Sequence, residues 1–563
     1  MKKLLISIIP ALALMSSSCQ DYLTKLPEDK LTDDPAFWAS ESNVENYSYG
    51  FYTTYFTGYG MKDTWGKYFT GETLNDDFAP TTPTTFTKTE PATSSAWSFK
   101  NVRKANQFIE NVSKSAMPEN AKRHWVGIGR FFRAMEYCNL MQDYGDVPWF
   151  DKVLSETDAE LYRPRDARKF VVSKVLEDFE YAANNVRDTD DKLKINKNVV
   201  LSFMTRRMLY EASVLKYHNL DQDLASDLFR KVKEAALIVM NSGKYAIADN
   251  YRDLFSSLSL AGNKEVILYR EYATGLVTHN LVTYNNTESQ TGASKDLLDS
   301  YLKSDGTIVT PDADKDYNTY MTNRDGRLLQ TFSPELRVRG EFSNFSTTGY
   351  ACHKFLNEDL KDKQEGKSNL NPTDAPVMRY AEVLLNYAEA CAELGSVTQS
   401  DLDASINLIR ARKTTKLPAL QVMGTSPAVN GVTYDDPKRD PSVSPILWEI
   451  RRERRVELAM EGFRNADLKR WAKYKYLNTQ SSDINRGAWI RKADHPKMTE
   501  VFIENDAAEG YIIPAPKKET QRYFNETDIM STRVYLEPLP LDQITLYDAN
   551  GFVLKQNPGW KDR

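Results

Sequence analysis

The chain has 563 residues, 41% of them hydrophobic and 27% charged, an ordinary make-up for a soluble globular protein. That length is well beyond one small domain and predicts two lobes or a repeat array. A net charge of −5 leaves no overall basic field to draw in nucleic acid. The departure from average is aromatic: 31 Tyr, 24 Phe and 9 Trp, enough to serve a core, a wet binding surface, or both.

Residues 1–18 read as a signal peptide. Lys2 and Lys3 are a positive start, Leu4 to Leu14 an apolar run too short to cross a bilayer, and Ser16, Ser17 and Ser18 are small residues before Cys19. A cysteine in that place resembles a bacterial lipobox, whose Cys thiol is diacylated and becomes the mature N-terminus; the alternative is an ordinary secreted protein with an incidental cysteine. Residues 19–39 then form a lipidated tether and lead-in. No later apolar run is long enough for a membrane helix.

Residues 40–244 read as helical. A Tyr-rich amphipathic helix is predicted from Asn43 to Phe56 and a second from Trp97 to Val112, after the loop PTTPTTFTKTEPATSS. Helices then come in pairs: His124–Gln142 with Arg168–Asn184 across YGDVPWF, and Val199–His218 with Leu224–Asn241. Residues 245–376 are an irregular lobe, with a strand-like NKEVILYRE and long polar stretches. Residues 377–475 return to helix pairs, Met378–Leu394 with Leu402–Arg412 and Ile446–Gly462 with Asn465–Trp471, and 476–563 form an irregular cap. Paired helices with short connectors predict a mostly α fold of four tetratricopeptide-like pairs carrying a loop-rich lobe.

Cys138, Cys352 and Cys391 form no disulfide framework, and Cys138 and Cys391 fall inside amphipathic helices as small apolar groups. The five histidines show no ligand spacing, so no metal site is expected. No Ser-His-Asp or Cys-His signature and no phosphate loop stands out, which predicts neither catalysis nor a cofactor. The segment RRERRVELAMEGFRNADLKRW admits three readings: a nucleic-acid face, a catalytic cluster, or an internal charge ladder. Glu453, Glu457 and Glu461 are four apart and line one helical face, with Arg464 beyond, which favours a solvated or internally paired ladder.

Six segments, in order along the whole chain, resemble the SusD/RagB family of Bacteroidetes outer-membrane lipoproteins: CQDYLTKLPEDKLTDDPAFW, RFFRAMEYCNLMQDYGDVPWF, VMRYAEVLLNYAEACAELG, INLIRARK, RRERRVELAMEGFRNADLKRW and LKQNPGW. The resemblance implies a lipid-anchored, non-catalytic protein on the outer-membrane surface. It implies a lid over a SusC-like TonB-dependent barrel transporter, with an oligosaccharide as ligand or, in the RagB branch, a peptide.

Sugars offer flat C–H faces ringed by hydroxyls, so a binding site wants Trp or Tyr platforms beside Asp, Asn and Arg. GYGMKDTWGKYFTGETLNDDF is densest in these, with Trp65, Tyr68, Asp76 and Asp77; Trp97 and Asn101 follow one turn apart. The family's type member carries such a Trp and Asn pair one residue closer together. Trp65 and Trp97 are either platforms or core. Tyr284, within HNLVTYNNTESQ, is a rim candidate or plain loop, and Arg379 either faces the lobe interface or holds a structural salt bridge.

Overall fold

A computed structural model describes residues 34–62, 75–82, 88–281, 289–310, 312–313, 315–367, 369–479, 483–516 and 524–561. Trp65, Tyr68, Tyr284 and Cys19 lie outside the described residues. The chain is mostly helical. Helix α1 (Glu41–Tyr55) starts at Ser40, whose hydroxyl accepts from the Asn43 N–H at 3.5 Å. Helices α2 (Lys100–Lys114) and α3 (Glu119–Tyr144) follow, and α3 stops at Gly145, where φ is +75°. Then come α4 (Arg168–Asn185), α5 (Lys197–Tyr217) and α6 (Gln222–Met240); Asn196 and Asp221 cap the last two, each accepting from a backbone N–H at 3.1 Å. From α2 to α6 each helix packs on the next. Their shared core is strongly aromatic: Phe51 stacks on Phe132 with centroids 4.5 Å apart.

The second half adds α7 (Lys295–Ser300), α8 (Tyr380–Glu393), α9 (Gln399–Asp403), α10 (Ile406–Arg410), α11 (Pro445–Glu457) and α12 (Arg464–Arg470). Helix α8 is buried almost all round and joins the halves, packing on α5, α6 and α11. The strands are short: β1 (Phe78–Ala79), β2 (Val266–Arg270), β3 (Gly292–Ala293), β4 (Ala375–Arg379), β5 (Gln421–Met423), β6 (Ser426–Val429), β7 (Val432–Thr433), β8 (Trp489–Arg491) and β9 (Glu509–Tyr511). They pair antiparallel as β1–β3, β2–β4, β5–β6–β7 and β8–β9. A second apolar core, with Tyr59, Tyr251, Phe255, Tyr301 and Phe355, lies under the irregular lobe and takes in Val456 from the end of α11 and Met460 just past it.

Several expected helix limits move. The helix predicted from Trp97 begins at Lys100, so Trp97 lies ahead of it and shares no helical turn with Asn101, and the helix predicted from His124 begins at Glu119. The predicted helix from Met378 begins at Tyr380, because 375–379 pairs with β2 and Pro376 suits a strand rather than a helix interior. The predicted Leu402–Arg412 helix is broken at Ser405, held at φ −134° and ψ −92°. The predicted Ile446–Gly462 helix ends at Glu457, because Met460 (φ +66°) and Gly462 (φ +78°) turn the chain left-handed into α12.

The charge ladder is internal. Glu453 accepts from Arg410 at 2.7 Å and Arg327 at 3.1 Å; Glu457 accepts from Arg379 at 2.7 Å, Arg412 at 2.8 Å and Arg327 at 3.0 Å. Glu461, just past the helix, takes Arg379 at 2.7 Å and Lys354 at 2.8 Å. Burial alone would raise the Glu457 carboxyl; Arg412 and Arg379 hold it far below the usual carboxylate range.

Candidate ligand-binding site

Helix α11 has two working faces. Glu449, Glu453 and Glu457, four apart, turn into the charge network, while Trp448, Arg451, Arg452 and Arg455 share the face three and four residues apart that lines a cavity of about 710 Å³. Helix α7 contributes Asp296, Asp299 and Ser300 to the wall, the loop before α11 Asp436 and Lys438, and the chain after α12 Tyr476, Thr479, Asp483, Asn485 and Arg486.

Two aromatic rings face this space with their polar atoms engaged elsewhere. The half-buried Trp448 donates its Nε1–H to Asp436 at 2.9 Å, and Tyr476 donates its hydroxyl to Asp440 at 2.8 Å. The rings stand edge to face, 6.3 Å apart at 76°. What they leave to the cavity is C–H and π surface. Trp471, at the back wall, is different: it is 2% exposed, gives its Nε1–H to Glu389 at 2.9 Å, and has the guanidiniums of Arg451 and Arg470 over its ring at 4.2 and 4.5 Å.

The polar rim is interlocked. Lys438 bridges Asp299 at 3.2 Å and Asp483 at 3.1 Å; Arg486 joins Asp483 and Glu504, each at 2.7 Å. Burial would lower the Lys438 ammonium, but Asp299, Asp296 and Asp483 around it push it above the ordinary lysine value. Deeper in, Arg464 grips Asp76 with two bonds of 2.6 and 2.7 Å, and Arg455 reaches Asp77 and Asp296, each at 2.7 Å. Burial would raise the Asp76 carboxyl; Arg455 and Arg464 bring it down to about 2.

Of the residues proposed from sequence as ligand contacts, Asp76 alone among the described ones lines this cavity; the segment read as a charge ladder adds Arg451, Arg452, Arg455, Arg464 and Trp471 to its wall. Asp76 does so as a buried carboxylate committed to Arg464, and Asp77 is buried behind it on Arg455. Trp97 is a core residue: it is 7% exposed and packs edge-on against Tyr144 at 4.9 Å and Phe99 at 5.4 Å. The last turn of α3 covers the ring that a helix start was expected to display. Asn101 donates to Glu136 at 3.3 Å, which also accepts from Tyr55 at 2.6 Å. Arg379 does not face an interface; it is buried among Glu265, Glu457 and Glu461.

Trp448, Tyr476, Lys438, Asp299 and Asp483 were not foreseen. One signal existed. In SPILWEI the buried Ile446, Leu447 and Ile450 mark the core face, and Trp448 falls off it.

A family model described as the SusD family matches residues 264–560, just over half of the chain. This chain belongs to the SusD family. The match takes in the last four of the six resembling segments. A SusD-like protein of Bacteroides ovatus is 24% identical over 527 residues, 86% of this chain and 87% of that one. SusD-like protein P2 of Formosa agariphila is 24% identical over 438 residues, 75% of this chain and 76% of its own length. Among solved structures, a SusD-like carbohydrate binding protein of Bacteroides fragilis superimposes with a TM-score of 0.66 at 22% identity, covering 91% of this chain and 99% of that one. A laminarin binding SusD-like protein gives a TM-score of 0.55 at 17% identity, covering 92% and 99%. At these identities the likeness to the solved structures carries the fold, and the mostly α architecture with a loop-rich lobe is that of SusD-like proteins. Among the described residues no helix is long and apolar enough to cross a membrane.

Proposed function

We propose that this SusD-family chain is a cell-surface lipoprotein that binds oligosaccharides in the α11 cavity and delivers them, as a lid, to a SusC-like TonB-dependent transporter. The observation that carries the binding half is the pair Trp448 and Tyr476. Their polar atoms are fixed on Asp436 and Asp440, so both rings are preoriented and turn apolar surface to a space bounded by carboxylates. A cavity of about 710 Å³ falls in the range of small-molecule sites. The names of two structural relatives, carbohydrate binding and laminarin binding, support the ligand class. Lys2, Lys3, the short apolar run and Cys19 support export and lipid anchoring.

The site binds without turnover in this reading. Among the described residues each lining carboxylate is already engaged by a lysine or arginine, whereas sugar hydrolysis needs one carboxyl kept protonated and another free to attack or to activate water. The test is calorimetry of the soluble chain with an oligosaccharide found by array screening. Trp448→Ala should weaken binding by about thirty-fold or more, the loss expected for a central aromatic hot spot. Binding unchanged in that variant contradicts the site. Binding of peptides from a protein digest, with no sugar bound, would favour a peptide ligand of the RagB kind.

A further inference from the structure

We infer that the cavity is built for neutral oligosaccharides and rejects anionic ones such as uronate or sulfated sugars. This rests on the proposed glycan site and concerns its selectivity. Among the described residues the wall carries six cations, Lys438, Arg451, Arg452, Arg455, Arg464 and Arg486, the groups an anionic sugar would seek. None is free. Lys438 lies between Asp299 and Asp483. Arg451 pairs with Glu393 at 2.9 Å, and Arg452 with Asp436 and Glu449. Arg455 takes Asp77 and Asp296, Arg464 takes Asp76, and Arg486 takes Asp483 and Glu504.

Among the described residues the wall contributes six carboxylates against those six cations, and behind it Glu393, Glu449 and Asp77 are balanced by Lys216, Arg410 and Lys295, which pair with Glu393, Glu449 and Asp299. An anion entering would meet no uncommitted cation and no net positive charge, and it would have to shed its own hydration. A neutral sugar meets the reverse. A carboxylate offers about four acceptor positions, so one bonded to a cation still accepts from a hydroxyl. The site is therefore rich in acceptors, which suits a ligand rich in O–H donors, and the Trp448 and Tyr476 rings match uncharged C–H faces.

The test is an array of neutral gluco-, manno-, galacto- and xylo-oligosaccharides beside oligogalacturonate and sulfated galactan oligomers. The wild-type chain, Trp448→Ala and Asp483→Asn are each applied to it. The expected result is binding confined to neutral spots and lost in Trp448→Ala. Asp483→Asn, which removes one carboxylate from both Lys438 and Arg486, should shift the anionic-to-neutral binding ratio upward by about tenfold, a change of the size one paired charge controls. Binding of the anionic oligomers that Trp448→Ala abolishes would overturn the selectivity while leaving the site in place. Binding to any spot that Trp448→Ala leaves intact would overturn the site and this inference with it.

Discussion

Trp448 and Arg452 donate to the same oxygen of Asp436, the indole at 2.9 Å, so one carboxylate sets the angle of the ring that faces the cavity. Without that bond the half-buried indole keeps its packing but loses its orientation, and orientation is what lowers the entropy cost of binding. Asp436→Ala should therefore weaken oligosaccharide binding by about tenfold, less than loss of the ring itself. Asp436→Asn keeps an acceptor for the indole N–H and should restore most of the affinity. Equal losses in both variants by calorimetry would mean that charge, not ring orientation, is what Asp436 supplies.

Trp97 gives the opposite pattern. Its ring lies in the main core between Tyr144 and Phe99, so Trp97→Ala opens a cavity there. The expected cost is about 3–5 kcal/mol of stability, read as a fall in the denaturation midpoint. Oligosaccharide affinity of the folded fraction should be unchanged. A loss of affinity with an unchanged midpoint would return Trp97 to the binding surface.

The buried network predicts a large effect from one truncation. Arg379 bonds Glu265, Glu457 and Glu461 and is 2% exposed. Arg379→Ala leaves these acids short of a partner in a dry site, where breaking a buried pair costs about 3–5 kcal/mol. Urea denaturation should show this fall. A change within about 0.5 kcal/mol, the range of ordinary surface substitutions, would mean that water enters the network freely.

How much of this was legible in the sequence depends on distance along the chain. Apolar periodicity put helices at Asn43–Phe56, Val199–His218 and Leu224–Asn241, and they form within about two residues of those limits, at Glu41–Tyr55, Lys197–Tyr217 and Gln222–Met240. The four-residue spacing of Glu453 and Glu457 placed them on one face. Their partners Arg327, Arg379, Arg410 and Arg412 lie outside that helix, and local spacing says nothing of them. The cavity was missed for the same reason: Lys438 meets Asp299 from 139 residues away. Local composition led instead to Trp97 and to Asp76 and Asp77, where aromatic and acidic residues crowd together in sequence but are buried in the fold.

Acid sensitivity follows from His279. This fully buried ring accepts from the Leu281 N–H at Nδ1 (3.2 Å) and, with Nε2–H, donates to the Thr373 carbonyl at 2.9 Å, an arrangement that only the neutral ring can make. Burial lowers its pKa from 6.5 to about 3. The unfolded chain then binds a proton that the folded chain refuses, so stability falls as the pH drops below 6.5 and goes on falling until about 3. His279→Gln should flatten that part of the stability profile. An unchanged slope would place the acid sensitivity in other groups.

Cys19 carries the anchoring half of the proposal. Cys19→Ala should move the protein from the membrane fraction to the soluble one in cells lacking the partner transporter, because acylation at that cysteine would be the remaining tie to the bilayer. Retention in the membrane fraction under those conditions would contradict a lipid anchor at this position.

The central claim is that sugar is held between Trp448, Tyr476 and the carboxylates of the α11 cavity, and a crystal of the soluble chain soaked with the best neutral oligosaccharide tests it most directly. The account predicts a sugar ring against the Trp448 indole, with hydroxyls donating to Asp299 or Asp483. A saccharide bound elsewhere on the molecule, with the cavity holding only solvent, would contradict it.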